Sequence, residues 1–182
     1  MNLCKLYLPA LLLTVTLFAS CKEEENALEY KSQGFIKGTL STTLSDDETP
    51  FNDSFRYTEY KITEYEYPFF YKEDDGSLTF SMNRYDMTLG SEAYWEFHLD
   101  NEGDTTPDET SLYMSHYKIS STKIISLEFY QDDFAISDFS FDPATGRAQG
   151  TFSFTAISNS SSSNDVFVEG SFDVIVKRSY YR

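Results

Sequence analysis

From Gly34 onward, apolar side chains recur at every second position rather than every third or fourth. That is the period of a half-buried β-strand, not of an amphipathic helix. The clearest run is near the C-terminus. Val166, Val168, Gly170, Phe172, Val174 and Val176 form one face, while Glu169, Ser171, Asp173 and Lys177 fall on the other. The stretch Gly150–Ala156 alternates in the same way and shares with it the pattern Gly-(Ser/Thr)-Phe-x-(Phe/Val). Between them Ser158–Asn164 is too polar to be anything but a loop, so the two runs are expected to pair as a hairpin. Ala93, Trp95, Phe97 and Leu99 make another single-sided apolar face.

Turn chemistry divides the remainder. Asp142-Pro143-Ala144-Thr145-Gly146 follows Phe139 and Phe141, with proline fixing one corner and glycine supplying a positive φ. Ser120-Ser121-Thr122 centres a hairpin over Tyr117–Ile125. Asp74-Asp75-Gly76-Ser77 joins a tyrosine-rich strand over 55–71 to Leu78–Met82. Within 55–67 the apolar parity switches from Phe55/Tyr57 to Tyr60/Ile62 to Tyr65/Tyr67, and each switch implies a bulge or bend. About eight to ten strands follow, joined by connections too short for parallel crossovers. The expected fold is all-β and antiparallel, either a two-layer sandwich or a flattened, lipocalin-like barrel.

The first twenty residues break this pattern. One basic residue, Lys5, precedes Leu6–Ala19, an uncharged run with the length of a signal-peptide core and too short to cross a bilayer as a helix. Leu17-Phe18-Ala19-Ser20-Cys21 then resembles the lipobox of bacterial lipoproteins, with Phe18 where leucine is usual. The resemblance implies cleavage after Ser20 and a lipid on Cys21; the alternative is ordinary secretion with cleavage nearby. Lys22-Glu23-Glu24-Glu25 resembles the surface-export signal of Bacteroidota lipoproteins, which implies an address on the outer face of the outer membrane. Phe141–Phe154, followed by Val168–Val174, is similar to small Bacteroidota lipoproteins that end in paired Gly-x-Phe strands. The organisation expected is a signal peptide over 1–20, an acidic tether over 21–32 and one β domain over 33–182. The tether residues 22–32, fully extended, reach about 36–40 Å.

Charge narrows the partners. The 182-residue chain carries a formal charge of −16, and removing the signal peptide takes away one lysine and no acid. Such a surface repels phosphate backbones, so nucleic acid is not an expected partner. The membrane is reached through the lipid instead, and a glycan or an envelope protein is the remaining kind of partner. Only Cys4 and Cys21 are present, so the processed chain would have neither a disulfide nor a cysteine metal site.

Candidate chemistry is sparse. His98 and His116 are the only histidines; on neighbouring strands they could bind a metal together with one carboxylate. A zinc site needs at least three protein ligands and no short-range spacing here supplies them, so structural or surface histidines are the plainer reading. Asp100, Glu102 and Asp104 offer oxygen donors at alternate positions, as a calcium loop would. The EF-hand pattern nevertheless fails at Thr105 and Ser111, and a solvated loop is the plainer reading. Asp104-Thr105-Thr106 also resembles the Bacteroidota O-glycosylation motif. Trp95, Tyr57 and Tyr60, with Tyr65 and Tyr67, are candidates for a sugar-stacking platform, although their alternation is that of core residues. No Gly-x-Ser-x-Gly elbow, phosphate-binding loop or His-Glu-x-x-His motif occurs. The function expected is therefore non-enzymatic binding or assembly at the outer membrane, with no cofactor beyond the covalent lipid. The alternative is a small glycan- or lipid-handling module.

Overall fold

A computed structural model of the protein describes residues 34–44, 48–59, 68–86, 88–119, 124–157 and 165–179. Cys21, the Lys22–Glu25 segment, the tether, Tyr60 and the parity switches beyond it, the Ser120–Thr122 turn and the Ser158–Asn164 loop lie outside the described residues. Among the described residues there are eleven strands and no helix. They are β1 (Gly34–Thr43), β2 (Pro50–Tyr57), β3 (Phe69–Lys72), β4 (Leu78–Asp86), β5 (Ser91–Leu99), β6 (Asp108–Ile119), β7 (Ile124–Asp132), β8 (Ile136–Asp142), β9 (Arg147–Ala156), β10 (Val166–Ile175) and β11 (Lys177–Arg178). One sheet has the order β2-β1-β10-β9-β8 and the other β11-β3-β4-β5-β6-β7. Among the described residues neither sheet closes on itself or on the other, so the fold is a sandwich and not a barrel.

The expected hairpins form. Strands β9 and β10 pair from Val166 opposite Ala156 to Ile175 opposite Arg147. In this register Phe172 faces Gly150 and Phe152 faces Gly170, which explains the repeated Gly-x-Phe pattern. A methyl group on Gly170 would lie 2.6 Å from Phe152 Cζ, and one on Gly150 would lie 3.0 Å from the Phe172 ring. Each glycine leaves room for the ring on the opposite strand. The row extends across β1, where Gly38 lies opposite both Gly170 and Phe55. The β8–β9 turn closes through a Gly146 N–H bond to Asp142 O (2.8 Å), with Gly146 at φ 72° and the Asp142 carboxylate accepting from Ala144 N and Thr145 Oγ1.

Two details depart from the sequence reading. The tyrosine-rich run over 55–71 is not one strand: Phe55 and Tyr57 end β2 in the five-stranded sheet, whereas Phe69–Lys72 is β3 in the six-stranded sheet. Only β3 takes part in the hairpin through Gly76. Strand β2 therefore ends in one sheet and β3 begins in the other. The second departure is β11, which pairs parallel to β3 with Lys177 opposite Phe69. No helical crossover is needed, because the two strands come from distant parts of the chain and β11 simply adds to a sheet edge. Lys177 N donates to Pro68 O and Ser179 N to Phe70 O.

The inner faces fill with rings. Phe80 of β4 stacks on Phe97 of β5 with centroids 4.7 Å apart and receives Phe141 edge-on at 4.8 Å. Trp95 meets Phe152, Phe172 and Phe134 in T-shaped contacts at 4.5, 5.2 and 5.7 Å. Offset and edge-to-face pairs of this kind contribute about 0.5–1.5 kcal/mol each beyond the area they bury. They join β4 and β5 of one layer to β8, β9 and β10 of the other.

Candidate functional site

Strand parity places two kinds of polar group where chemistry could occur. The first is a network between the layers, buried at Tyr57 and His116 and open to solvent at Lys118. Asp53 and Tyr57 of β2 and His116 and Lys118 of β6 point toward the opposite sheet. Tyr57 Oη lies 2.7 Å from His116 Nδ1, His116 Nε2 is 3.0 Å from Asp53 Oδ2, and Lys118 Nζ donates to Asp53 Oδ1 at 2.9 Å. Burial raises the Asp53 pKa, but bonds from Lys118, His116 and the Ser54 backbone outweigh it and hold the carboxyl below its usual value. Burial lowers the His116 pKa, partly offset by Asp53. The imidazole is therefore neutral near pH 7, donating Nε2–H to Asp53 and accepting the Tyr57 hydroxyl at Nδ1. Burial also raises the Tyr57 pKa far above the ordinary phenol value.

Tyr57 and His116 are only 1% and 3% exposed, so no substrate reaches either from solvent without opening the layers. The chemistry the network performs is to tie β2 to β6 across the sandwich. Its linkage to pH has a definite sign. A histidine whose pKa is depressed in the folded state is protonated first in the unfolded chain. Stability is then full above about pH 6.5 and is lost as the pH falls from there toward the folded-state pKa. Urea titrations at pH 7.5 and 5.5 are expected to show this loss, and His116→Gln is expected to flatten that interval. An unchanged slope in the variant would contradict the assignment. Tyr57→Phe, which leaves Nδ1 unpaired, is expected to cost about 1–3 kcal/mol at pH 7.5.

The second group lies on the outer face of the six-stranded sheet. Inward positions of β5, β6 and β7 are taken by Trp95, Leu112, Met114 and Phe129. Their neighbours Tyr94, Tyr113 and Tyr130 must then face outward, and they stand directly opposite one another across the three strands. Tyr94 is 39% and Tyr130 51% exposed, and Tyr113 is half-buried between them. Tyr94 Oη donates to Glu96 Oε1 and accepts from Ser81 Oγ, and Tyr113 Oη donates to Glu128 Oε1 at 3.2 Å. Burial, then the neighbouring Glu96, pushes the Tyr94 pKa up to about 12. Burial and the Glu128 charge push the Tyr113 pKa up to about 12 as well. Both phenols remain protonated across the physiological range.

The residues singled out from sequence are placed otherwise. Trp95 and Tyr57 are each 1% exposed and enclosed between the layers, so neither offers a face to a ligand from solvent. Glu102 Oε2 accepts from Lys72 Nζ at 2.9 Å, and Asp104 Oδ2 caps Asn101 N at 2.8 Å within its own loop, while Asp100 is exposed. Asp100, Glu102 and Asp104 are not drawn around a common point: among the described residues, no three metal-ligating side chains gather. His98 faces outward with Nδ1 3.9 Å from Asp108 Oδ1, whereas His116 faces inward, so the two imidazoles do not share a face. The tyrosine row had a usable signal in the sequence. Once Ala93, Trp95, Phe97 and Leu99 define the inner face of β5, Tyr94 can only point out. The Tyr57–His116–Asp53 network had none, because its members are 59 and 63 residues apart.

Comparison with protein-family models, with curated proteins and with solved structures finds no match for the chain.

Proposed function

We propose that the protein is a lipid-anchored lipoprotein of the outer membrane, facing outward, whose β-sandwich binds a partner and carries out no catalysis. The lipobox-like Cys21 and the Lys22–Glu25 segment supply the address. The observation that carries the binding role is the placement of Tyr94, Tyr113 and Tyr130, solvent-facing rings in one row over a filled core. Large rings left outside a core already filled with phenylalanine make a surface suited to recognition. A second reading, a glycan-handling module, draws on the same row, since exposed aromatic rings can stack on sugars.

Metabolic labelling with radioactive palmitate tests the anchor. Wild-type protein is expected to take up label and sediment with membranes. Cys21→Ala is expected to lose both properties. Equal labelling of wild type and variant, or no label in either, would overturn the proposal.

A further inference from the structure

The two outer faces treat their aromatic rings differently. On the five-stranded sheet, Phe35 of β1 already carries the Lys37 ammonium at 4.8 Å and the Arg56 guanidinium at 4.4 Å from its ring centre. A cation there meets the negative face of the ring, and the chain supplies it. On the six-stranded sheet, Tyr94, Tyr113 and Tyr130 share their face with Glu92 and Glu96 of β5 and Glu128 and Asp132 of β7. The basic residues of β4 to β7 are Arg84 and Lys118. Arg84 is buried at an inward position, and Lys118 is bound to Asp53. No lysine or arginine occupies an outward position on these four strands.

We propose that this face binds a cationic segment of a partner protein, an extended stretch bearing arginine or lysine, and this rests on the binding role argued above. The row combines what a guanidinium requires. Three rings project from the outer face, Tyr94 and Tyr130 well exposed, and carboxylates stand beside them. Glu96 and Glu128 each use Oε1 for a tyrosine hydroxyl, which leaves Oε2 of each as an acceptor. Arginine can stack on a ring and bond a carboxylate at once. The spacing also suits. Neighbouring strands lie about 4.8 Å apart, so three rings span about 10 Å, and alternate side chains of an extended peptide stand about 7 Å apart. Two such cations fit along the row. Lys177 of β11 lies at the far edge of this sheet, across β3 and β4 from the row, and the formal charge of −16 favours the approach of cations.

The test uses the full chain carrying Cys21→Ala, titrated calorimetrically with hexa-arginine at about 0.15 M salt, an ionic strength that screens attraction to distant charges. Saturable binding is expected. The Tyr94→Leu/Tyr130→Leu variant, whose formal charge is unchanged, is expected to bind about tenfold more weakly. Thermal melts check that the variant folds; if it does not, Tyr130→Leu alone, on the edge strand, is expected to weaken binding about threefold. Equal affinity in wild type and the folded leucine variants would overturn the proposal by assigning the attraction to the acidic coat at large. Binding of a neutral gluco-oligosaccharide at the row, without hexa-arginine binding, would overturn it in favour of a sugar platform. Either failure leaves the palmitate result untouched, so the anchor and the ligand class are judged separately.

Discussion

Gly38→Ala is expected to lower the unfolding free energy by about 3 kcal/mol, at the upper end of the overpacking range. A methyl group on Gly38 would sit 2.1 Å from Glu169 O and 2.9 Å from both Gly170 Cα and Phe55 Cζ. The first two are backbone atoms of β10. They cannot turn aside as a side-chain tip would, so relief requires β1 and β10 to part in the middle of their pairing, where Gly38 lies opposite Gly170. Those strands join the two halves of the five-stranded sheet, with β2 beyond one and β9 beyond the other. For a domain of this size the loss corresponds to about 6–12 °C in melting temperature. Thermal unfolding followed by circular dichroism measures it. A melting temperature within a degree of wild type would mean that the close approach of the two glycines is wrong.

The second large effect is at Trp95. Truncation to alanine is expected to cost about 3–5 kcal/mol, because the side chain is 1% exposed and three phenylalanine rings lose their partner at once. Trp95→Phe should be far milder, below about 1.5 kcal/mol. Among the described residues, the indole Nε1–H has no hydrogen-bond partner, so phenylalanine also relieves a buried donor. Denaturant titrations followed by circular dichroism compare the two variants, since Trp95 is the only tryptophan and its fluorescence is lost in both. A solvent-facing ligand platform would behave in the opposite way, with alanine tolerated and binding impaired. Equal destabilisation by alanine and phenylalanine would show that the indole nitrogen has a partner after all.

How far the fold could be read from the sequence depended on the range of each interaction. Alternation along β5, β9 and β10 assigned their inner faces correctly, down to Trp95 and the Gly-x-Phe pairs, because period two is local information. The turns at Gly76 and Gly146 were legible for the same reason, each needing a positive φ that glycine provides. The choice between sandwich and barrel was not legible, since it depends on whether β2 and β8, or β7 and β11, meet at their edges. Nor was the pairing of β1 with β10, which joins residues more than a hundred positions apart. Strand β8 hides a further device: its register to β9 shifts between Ser137 and Ser140, with Asp138 at φ 52°. That bulge brings both Ile136 and Phe139 inward against simple alternation.

The site was only partly legible. Ring size drew attention to Trp95 and Tyr57, yet large rings serve the core first, and only parity separates them from Tyr94, Tyr113 and Tyr130. Acid spacing drew attention to Asp100, Glu102 and Asp104, but such carboxylates also cap backbone amides and pair with lysines, as Asp104 and Glu102 do here.

The outward-facing address is tested most directly by protease treatment of intact cells. Wild-type protein is expected to be digested by external protease, and protein with Lys22, Glu23, Glu24 and Glu25 replaced by alanine is expected to survive until the outer membrane is permeabilised. Wild-type protein that survives on intact cells, and is cut only after permeabilisation, would contradict the account and place the tyrosine row in the periplasm.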